Sequence, residues 1–312
     1  MAFLVSMDLT SRETIKELLK KYNATALKRL GQHFLVDRGV LRKIIEAAEL
    51  SPKDTVLEIG PGVGTLTQEL AKRASRVIAV EKDPKMIEIL KETIEDSGNV
   101  EIIQGDILKL RLQNPKSEIR NPKQIQNSKF KIPKHYKIVA NLPYYITSPV
   151  IRKFLTSTGV RPLSMLLMVQ KEVAQRIVAR PPDMNLLAIS VQFYAKPEIV
   201  SYVSKKSFWP QPKVDSAIIK ITPYQPNKLF ACAFSHRTSR RRVQAFRILF
   251  FKIVKAGFSQ PRKQLINNLS TKLKLPREKM EEWLLKNNIQ PQRRAETLSI
   301  NNWLSLTKTF PK

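Results

Sequence analysis

The stretch Val56-Leu57-Glu58-Ile59-Gly60-Pro61-Gly62-Val63-Gly64-Thr65-Leu66-Thr67 decides the fold of this chain. An apolar, strand-forming run leads into three glycines and then into a segment that predicts a helix. The whole chain has only 9 glycines in 312 residues, so three within five positions indicate a backbone turn with unusual dihedral angles. In doubly wound sheets, a turn at the carboxyl end of a strand is where ligands bind.

Short runs rich in β-branched residues alternate with helical stretches through the first two thirds of the chain. The runs are residues 55–59, 77–80, 100–103, 137–140 and 163–169. This alternation predicts an α/β fold, with a parallel sheet covered by helices on both faces. Beyond a boundary near residues 223–226, apolar residues recur at helical spacing in 246–257 and 280–285, which predicts a smaller helical domain.

The charge of the chain indicates a polyanionic partner. There are 55 Lys and Arg against 26 Asp and Glu, a formal net charge of +29. Residues 224–312 alone hold 19 Lys or Arg and four Asp or Glu. We expect a nucleic acid, with a merely solvated basic surface as the alternative. Residues 111–136 are also basic and rich in Pro and Asn, which predicts a long inserted surface loop.

Two further basic groups are candidate phosphate contacts. Arg240, Arg241 and Arg242 lie in an unusual stretch at 227–247, for which a solvated linker is an equal alternative. Arg262 and Lys263 follow the helical run at 246–257. All five are expected to contact RNA if nucleic acid is the partner.

Several classes of protein are excluded by composition. A single cysteine, Cys232, excludes a disulfide scaffold and a cysteine-rich zinc site. The three histidines are scattered, so no metal site is expected. No apolar run approaches the roughly 18 residues of a membrane span, and the N-terminus lacks the features of a signal peptide. The sequence therefore predicts a reduced, cytoplasmic setting without membrane association.

The glycine spacing discriminates between nucleotide cofactors. A dinucleotide site has the pattern G-x-G-x-x-G, whereas here the third glycine comes one residue early, so NAD and FAD are disfavoured. The observed G-x-G-x-G of Gly60, Gly62 and Gly64 is similar to the loop of S-adenosylmethionine-dependent methyltransferases. Acids end the next two strands: Glu81 suits the ribose hydroxyls, and Asp106 suits an adenine amino group.

The fourth strand runs into Asn141-Leu142-Pro143-Tyr144. The amino group of an aromatic base is a poor nucleophile because its lone pair is delocalised into the ring. The Asn141 side-chain oxygen and the Leu142 carbonyl are acceptors that favour a pyramidal amine, and Pro143 helps to aim that carbonyl. Tyr144 offers a ring on which an extruded base can stack. No general base is evident, so catalysis is expected to rest on positioning and electrostatics.

These stretches, with others, carry a family resemblance. They are LGQHFL at 30–35, EIGPGVG at 58–64, NLPY at 141–144, FWPQPKVDS at 208–216, GFSQPRK at 257–263 and RAETLS at 294–299. On these motifs the chain resembles the small-subunit ribosomal RNA adenine-N6,N6-dimethyltransferases, the KsgA family. The resemblance runs from about residue 30 to the C-terminus.

The resemblance implies a Rossmann-like S-adenosylmethionine-dependent methyltransferase sheet with a smaller C-terminal helical domain. The corresponding division is 1–224 and 225–312, with residues 1–50 covering the cofactor. It implies methyl transfer to two adjacent adenines near the 3′ end of small-subunit (16S) ribosomal RNA, within an immature subunit. A monomer is expected, because no heptad or interface stripe stands out.

The resemblance also implies individual roles. His33, Leu35, Gly60, Glu81, Asp106 and Asn141 would bind the cofactor, with Gly62 and Gly64 completing the turn. Asn141, Leu142, Pro143 and Tyr144 would act on the target base, and Phe208 would face Tyr144 across it. His33 stands where the family usually has Asn, which predicts a pH-sensitive cofactor affinity.

Two rival functions stay open beside a third, a DNA adenine methyltransferase, which is disfavoured because no second segment indicates base-specific DNA recognition. A large-subunit ribosomal RNA adenine methyltransferase of the macrolide-resistance type shares the cofactor loop and the Asn-x-Pro-Tyr motif. The segment at 208–216 and the long basic C-terminal region favour the small-subunit enzyme over it. A non-catalytic ribosome-assembly factor on the same scaffold is the other rival, and the intact Glu81, Asp106 and 141–144 argue against it.

Overall fold

The computed structural model describes residues 7–27, 30–110, 112–113, 130–156, 160–224 and 240–311, and at 112–113, 130–131 and 240 it describes the backbone alone. Most of the predicted insertion at 111–136 lies outside the described residues. Residues 227–239 of the second basic stretch also lie outside them.

The strands follow the predicted runs closely. In chain order they are β1 (Phe34–Leu35), β2 (Thr55–Ile59), β3 (Arg76–Glu81), β4 (Val100–Gln104), β5 (Leu112–Gln113), β6 (Phe130–Lys131), β7 (Lys137–Asn141), β8 (Ser164–Gln170), β9 (Ala195–Val203), β10 (Phe208–Trp209) and β11 (Ser216–Pro223). The five predicted strands are confirmed as β2, β3, β4, β7 and β8, each within one residue at either end.

The helices connect these strands and then form the C-terminal region. They are α1 (Arg12–Lys21), α2 (Arg38–Ala48), α3 (Thr65–Ala71), α4 (Pro84–Thr93), α5 (Thr147–Thr156), α6 (Lys171–Val178), α7 (Leu186–Gln192), α8 (Arg240–Gly257), α9 (Leu265–Leu273), α10 (Arg277–Lys286) and α11 (Ile300–Lys308). Side-chain caps set where several of them begin: the Asp37 carboxylate accepts from Val40 N–H at the start of α2, and Ser299 forms a capping box at the start of α11.

The main sheet has the order β4-β3-β2-β7-β8-β11-β9. Strands β4, β3, β2, β7 and β8 are parallel to their neighbours, as predicted. The predicted parallel sheet is confirmed for these five strands, and β11 extends it antiparallel to β8, with Ser216 opposite Gln170 and Ile221 opposite Met165. Strand β11 is buried and covers the edge that β8 would otherwise expose.

The strand order fixes where a ligand can bind. From the central β2 the chain moves outward to β3 and β4, and it then returns to build β7 and β8 on the other side. A crevice opens at the carboxyl ends of β2 and β7, where this direction reverses. The structure therefore places the glycine turn after β2 beside the motif that follows β7.

The core covers both faces of the sheet. Val56, Val77 and Val139 on one face form a hydrophobic cluster with buried side chains of α2 and α3. Leu57 and Ile138, which alternate with them along β2 and β7, are fully buried on the other face. The sheet domain therefore has helices or loops over both faces, as the near-continuous apolar strands indicate.

The chain divides into two compact units. The first consists of Met1–Ala174 and Glu198–Pro223, and the second consists of Gln175–Pro197 and Tyr224–Lys312. The sequence predicts residues 175–197 in the first domain, whereas the structure groups them with the C-terminal helices. Aromatic packing inside the second unit explains the difference, because the Phe193 and Phe250 ring centroids lie 4.3 Å apart. Within the described ranges, no helix is long and apolar enough to cross a membrane.

The second unit is built around α8, which contacts α9 and α11. Helix α8 begins at Arg240, six residues before the predicted start, since arginine is a good helix former although it is not apolar. Its last residue, Gly257, lies against the fully buried Trp303 ring. A Cβ at Gly257 would lie 2.4 Å from Trp303 Cη2.

We therefore expect Gly257→Ala to destabilise the protein by about 2 kcal/mol, because overpacking displaces a buried indole. Urea unfolding measures this change. Gly98→Ala is the matched control, because a Cβ there meets nothing within 4 Å, and its effect should stay below about 0.5 kcal/mol. Equal stability of the two variants would contradict the packing.

Candidate active site

One pocket lies at the carboxyl ends of β2, β3, β4 and β7. The predicted residues that line it are His33, Leu35, Gly60, Gly62, Glu81, Asp106, Asn141, Leu142, Pro143, Tyr144 and Phe208. Of the predicted cofactor set, Gly64 alone is not among the lining residues. The structure thus brings together side chains that are up to 175 positions apart in the sequence, from His33 to Phe208.

The glycine turn forms one wall of the pocket. Gly60, Gly62 and Gly64 have φ values of 69°, 59° and 93°, which side chains with a Cβ rarely adopt. Gly64 is the N-cap residue of α3 and faces away from the pocket, where a Cβ would lie 2.8 Å from Thr93 Oγ1 and 2.9 Å from Leu90 Cδ1. Gly60 and Gly62 shape the pocket wall, whereas Gly64 allows close packing of α3 against α4.

The Glu81 carboxylate is the centre of a backbone network. Its Oε1 accepts from Lys82 N–H at 2.6 Å and Asp83 N–H at 2.8 Å, and its Oε2 accepts from Gly62 N–H at 3.2 Å. Burial raises the pKa of Glu81, and these three N–H groups oppose the rise. The network fixes the carboxylate at the pocket wall and ties the glycine turn to β3.

Asp106 lies at the end of β4 on a tight turn. Its Oδ1 accepts from Leu108 N–H at 2.9 Å, and its Oδ2 pairs with Lys82 Nζ at 3.2 Å. Burial tends to raise the pKa of Asp106, but these hydrogen bonds and the charge of Lys82 outweigh it and lower the pKa. An ionised acceptor therefore faces the pocket beside Glu81.

The Asn141 amide is oriented by the N-terminal segment. Asn141 Nδ2 donates to the His33 carbonyl at 3.1 Å, which leaves its Oδ1 as an acceptor at the pocket. The His33 ring is held in turn, because its Nδ1 lies 2.6 Å from the Pro210 carbonyl and must carry a proton to donate there. The pH-sensitive affinity expected from His33 stays a prediction.

The two predicted stacking aromatics differ in exposure. The Tyr144 ring is stacked with the His33 ring at a centroid distance of 6.0 Å, and its hydroxyl lies 2.8 Å from Ser216 Oγ. Phe208 is only 2% exposed and packs in the sheet core beside Leu35, its partner in the β1–β10 pair. Tyr144 and Phe208 both line the pocket, but the base sandwich between them stays a prediction.

The N-terminal segment packs over the glycine turn. Helix α1 places Ile15 and Leu18 in a buried cluster with Val63 of that turn and with Met86 of α4. Thr65, the first residue of α3, donates its hydroxyl to the Leu9 carbonyl at 3.1 Å. These contacts lie on the segment 1–50 that the resemblance expects to cover the cofactor.

Glu58 is a pocket residue to which the sequence analysis assigns no role. It is 2% exposed, lines the pocket, and has an Oε2 without a hydrogen-bond partner among the described residues. Burial raises the pKa of Glu58 to about 8, and the neighbouring Glu81 charge adds to the rise. The sequence feature that could have identified Glu58 is an acidic residue inside the apolar run directly before the glycines.

The predicted RNA contacts lie outside the pocket. Arg241 and Arg242 are exposed in the first turn of α8, where Arg240 is described by its backbone alone, and Arg262 and Lys263 are exposed beyond its last turn. Helix α8 has 18 residues, which span about 27 Å at the rise of an α-helix. The two groups therefore lie at opposite ends of one helix and do not form a single cluster.

Comparison with known proteins identifies the family. A model of the family described as ribosomal RNA adenine dimethylase matches residues 23–312. The chain belongs to this family.

Its relatives match over nearly the whole chain. Ribosomal RNA small subunit methyltransferase A of Dehalococcoides mccartyi is 44% identical over 291 residues, which cover 93% of this chain and 90% of the relative. The protein of the same name from Geobacillus sp. (strain WCH70) is 38% identical over 314 residues, covering 98% and 99%.

Two solved structures are similar as well. The crystal structure of the 23S rRNA methyltransferase ErmE has a TM-score of 0.65 and 26% identity, covering 89% of this chain and all of that one. A dimethyladenosine transferase from Plasmodium falciparum has a TM-score of 0.65 and 28% identity, covering 88% and 96%.

Membership of the ribosomal RNA adenine dimethylase family makes S-adenosylmethionine the methyl donor. The pocket fits this cofactor chemically. Apart from its carboxylate, S-adenosylmethionine carries a sulfonium, an ammonium, ribose hydroxyls and an adenine amino group, and each of these is cationic or a hydrogen-bond donor. Glu81 and Asp106 offer carboxylate oxygens at the pocket, and the Glu58 carboxyl adds an Oε2 without a partner among the described residues, which a bound polar group would satisfy.

The buried Glu58 predicts a specific pH dependence of stability. Its pKa of about 8 in the folded chain lies above the ordinary value of 4.5, so the folded state binds the proton more tightly. Stability is therefore lost as pH rises from about 5 to about 8, by up to about 1.4 kcal/mol per pH unit. Glu58→Gln should remove this loss, as denaturant unfolding at several pH values can show.

Glu17→Gln, at an exposed position of α1, is the control and should keep the pH dependence of the unmodified chain. The same slope in Glu58→Gln and in the control would show that Glu58 is already ionised in the folded protein.

Proposed function

We propose that this chain dimethylates N6 of two adjacent adenines near the 3′ end of small-subunit (16S) ribosomal RNA, with S-adenosylmethionine as donor. The observation that carries this proposal is the convergence of Glu81, Asp106 and Asn141 on one pocket at the carboxyl ends of β3, β4 and β7. The names of the relatives from Dehalococcoides mccartyi and Geobacillus support the small subunit as the source of the RNA.

In this proposal each pocket residue contacts a different part of the cofactor. Glu81 accepts from the ribose hydroxyls through lone pairs that its three backbone N–H bonds leave free. Asp106 accepts from the adenine amino group, and His33 and Leu35 close the pocket from the N-terminal side. Gly60 and Gly62 present backbone without side chains, which allows close approach.

The reacting amine is held by Asn141 and Leu142. S-adenosylmethionine supplies an electrophilic methyl group on its sulfonium. Asn141 Oδ1 and the Leu142 carbonyl accept the amine hydrogens, so that the nitrogen lone pair turns toward the methyl group. Pro143 restricts the backbone directly after Leu142, and the Tyr144 ring supports the base. The amine proton leaves to solvent after transfer, so the chain acts by positioning and electrostatics.

The substrate is proposed to be RNA within an immature small subunit, bound by a monomer in the cytoplasm. The net charge of +29 supports a large polyanionic partner such as ribosomal RNA. In this proposal RNA phosphate is contacted by Arg240, Arg241 and Arg242 at the N-terminal end of α8. The positive charge of the exposed Arg241 is electrostatically unfavourable at a helix N-terminus, and an anionic partner would relieve it. Arg262 and Lys263 contact phosphate at the other end.

The likeness to ErmE makes large-subunit RNA the rival substrate. Purified protein and methyl-labelled S-adenosylmethionine are mixed separately with small and large subunits from a strain that lacks the modification. Digestion of the RNA should yield N6,N6-dimethyladenosine from the small subunit alone. Label confined to the large subunit would support the rival, and S-adenosylmethionine binding without label in either would refute both substrates.

Asn141→Ala is expected to lower kcat about 100-fold while RNA affinity changes less than about twofold, because it removes an acceptor for the reacting amine but no phosphate contact. Asn99→Ala is the control, since Asn99 Nδ2 holds the carbonyls of Ala71 and Ala74 outside the pocket. The control should lower stability and keep kcat. Unchanged turnover in Asn141→Ala would exclude the proposed role.

Reversing the charge of Arg262 and Lys263 to Glu should weaken particle binding and reduce the slope of log affinity against log salt by about 1 to 2. Arg42 and Lys43, two consecutive exposed residues on α2, are a matched control with the same two residue types. If both double variants have the slope of the unmodified chain, Arg262 and Lys263 do not contact phosphate.

A further inference from the structure

Lys153 of α5 reaches the turn that follows β4. Its Nζ lies 2.5 Å from the Ile107 carbonyl oxygen, 3.2 Å from that of Leu108 and 2.5 Å from that of Leu110. The lysine is 43 to 46 positions away from these residues in the sequence. One side chain thus gathers three carbonyl groups of a five-residue turn.

All of the hydrogen-bond donors of the Lys153 ammonium have an acceptor in this contact. A lysine ammonium has three N–H donors and no acceptor, and three carbonyl oxygens are within hydrogen-bond distance of Lys153 Nζ. Partial burial lowers the pKa of Lys153, and the charge of Asp106 opposes this effect. A half-buried cation that meets three acceptors is held in one position, and it holds the acceptors in turn.

The same turn carries the β4 side of the pocket. Asp106, Ile107 and Leu108 line it. The N–H groups of Lys109 and Leu110 both donate to the Asp106 carbonyl, at 2.8 and 3.0 Å, so residues 106–110 form one compact turn. Lys153 is the side chain that binds the free carbonyls of this turn from outside the pocket.

We propose that Lys153 is a positioning residue for the adenine side of the cofactor site. By fixing the carbonyls of Ile107, Leu108 and Leu110 it sets the turn from which the Asp106 carboxylate faces the ligand. This inference rests on the cofactor assignment and on the role proposed for Asp106, and it is independent of which RNA is methylated.

Loss of the ammonium should affect binding more than chemistry. Lys153→Met keeps the length of the side chain but leaves three carbonyls without their donor, so the turn loosens and Asp106 is held less well. The groups proposed to act on the target amine lie at the end of β7, a different strand from β4, which leads into this turn. The KM for S-adenosylmethionine should therefore rise while kcat changes little.

Lys137 provides a matched control. Its Nζ lies 3.4 Å from the Ala48 carbonyl and 2.5 Å from the Glu49 carbonyl at the end of α2, and it does not line the pocket. Lys137 Nζ also pairs with Asp54 Oδ2 at 3.1 Å, so Lys137→Met removes the same kind of lysine–carbonyl contact, together with an ion pair, at a residue that does not line the pocket. A purely structural role of Lys153 predicts that the two variants behave alike.

The test is calorimetric titration of the full chain with S-adenosylhomocysteine, which needs no RNA. We expect Lys153→Met to raise the Kd about tenfold and the KM for S-adenosylmethionine by a similar factor, with kcat within about twofold. Lys137→Met should lower Tm and keep the Kd within about twofold. A Kd for Lys153→Met within about twofold of that of the unmodified chain, or equal to that of Lys137→Met, overturns the proposal.

If Lys153→Met does not fold, Lys153→Arg decides the question. The arginine keeps the charge, but its planar fork cannot converge on three carbonyls, so the Kd should rise about threefold. An unchanged Kd in this variant overturns the proposal. Because S-adenosylhomocysteine binding is measured without RNA, a failure to methylate ribosomal RNA would count against the proposed function and leave this result standing.

Discussion

The structure depends most on one buried carboxylate, that of Glu81, which receives three backbone N–H groups. Through them it joins the glycine turn at Gly62 to the end of β3 at Lys82 and Asp83. Asp83 extends the network, because its side chain caps α4 and accepts from Gln32 of the N-terminal segment at 2.9 Å. The cofactor loop, a strand end and the covering segment are thus held by one chain of hydrogen bonds, in which removal of a single partner leaves buried N–H groups unpaired.

A second chain of contacts orients the reacting side of the pocket. Asn141 donates to the backbone carbonyl of His33, and the His33 ring nitrogen Nδ1 is within hydrogen-bond distance of the Pro210 carbonyl. Strand β7, the N-terminal segment and the loop after β10 therefore meet at one place. Glu81 organises the cofactor side, and Asn141 is oriented toward the target side. The strand order, with β2 between β3 and β7, brings the two sides together at the point where the topology reverses.

The sequence predicted most of what is local and little of what depends on distant contacts. The parallel strands and the glycine turn follow from composition and period, and family membership confirms the methyltransferase assignment. The antiparallel direction of β11 could not be read from its apolar run, because direction is set by its pairing with β8. Residues 175–197 join the C-terminal unit through Phe193 and Phe250, a contact between side chains 57 positions apart. Lys153 gave no signal at all, since its three acceptors are brought to it only by the fold.

We propose that Glu81 at the end of β3 binds the ribose of the cofactor and that Asp106 after β4 binds its adenine. The most direct measurement is a crystal structure of the chain with S-adenosylhomocysteine. In this structure both ribose hydroxyls should lie within about 3 Å of the Glu81 carboxylate, and the adenine amino group should lie within about 3 Å of Asp106. A ligand bound at this pocket without either contact, or bound elsewhere on the chain, would contradict it.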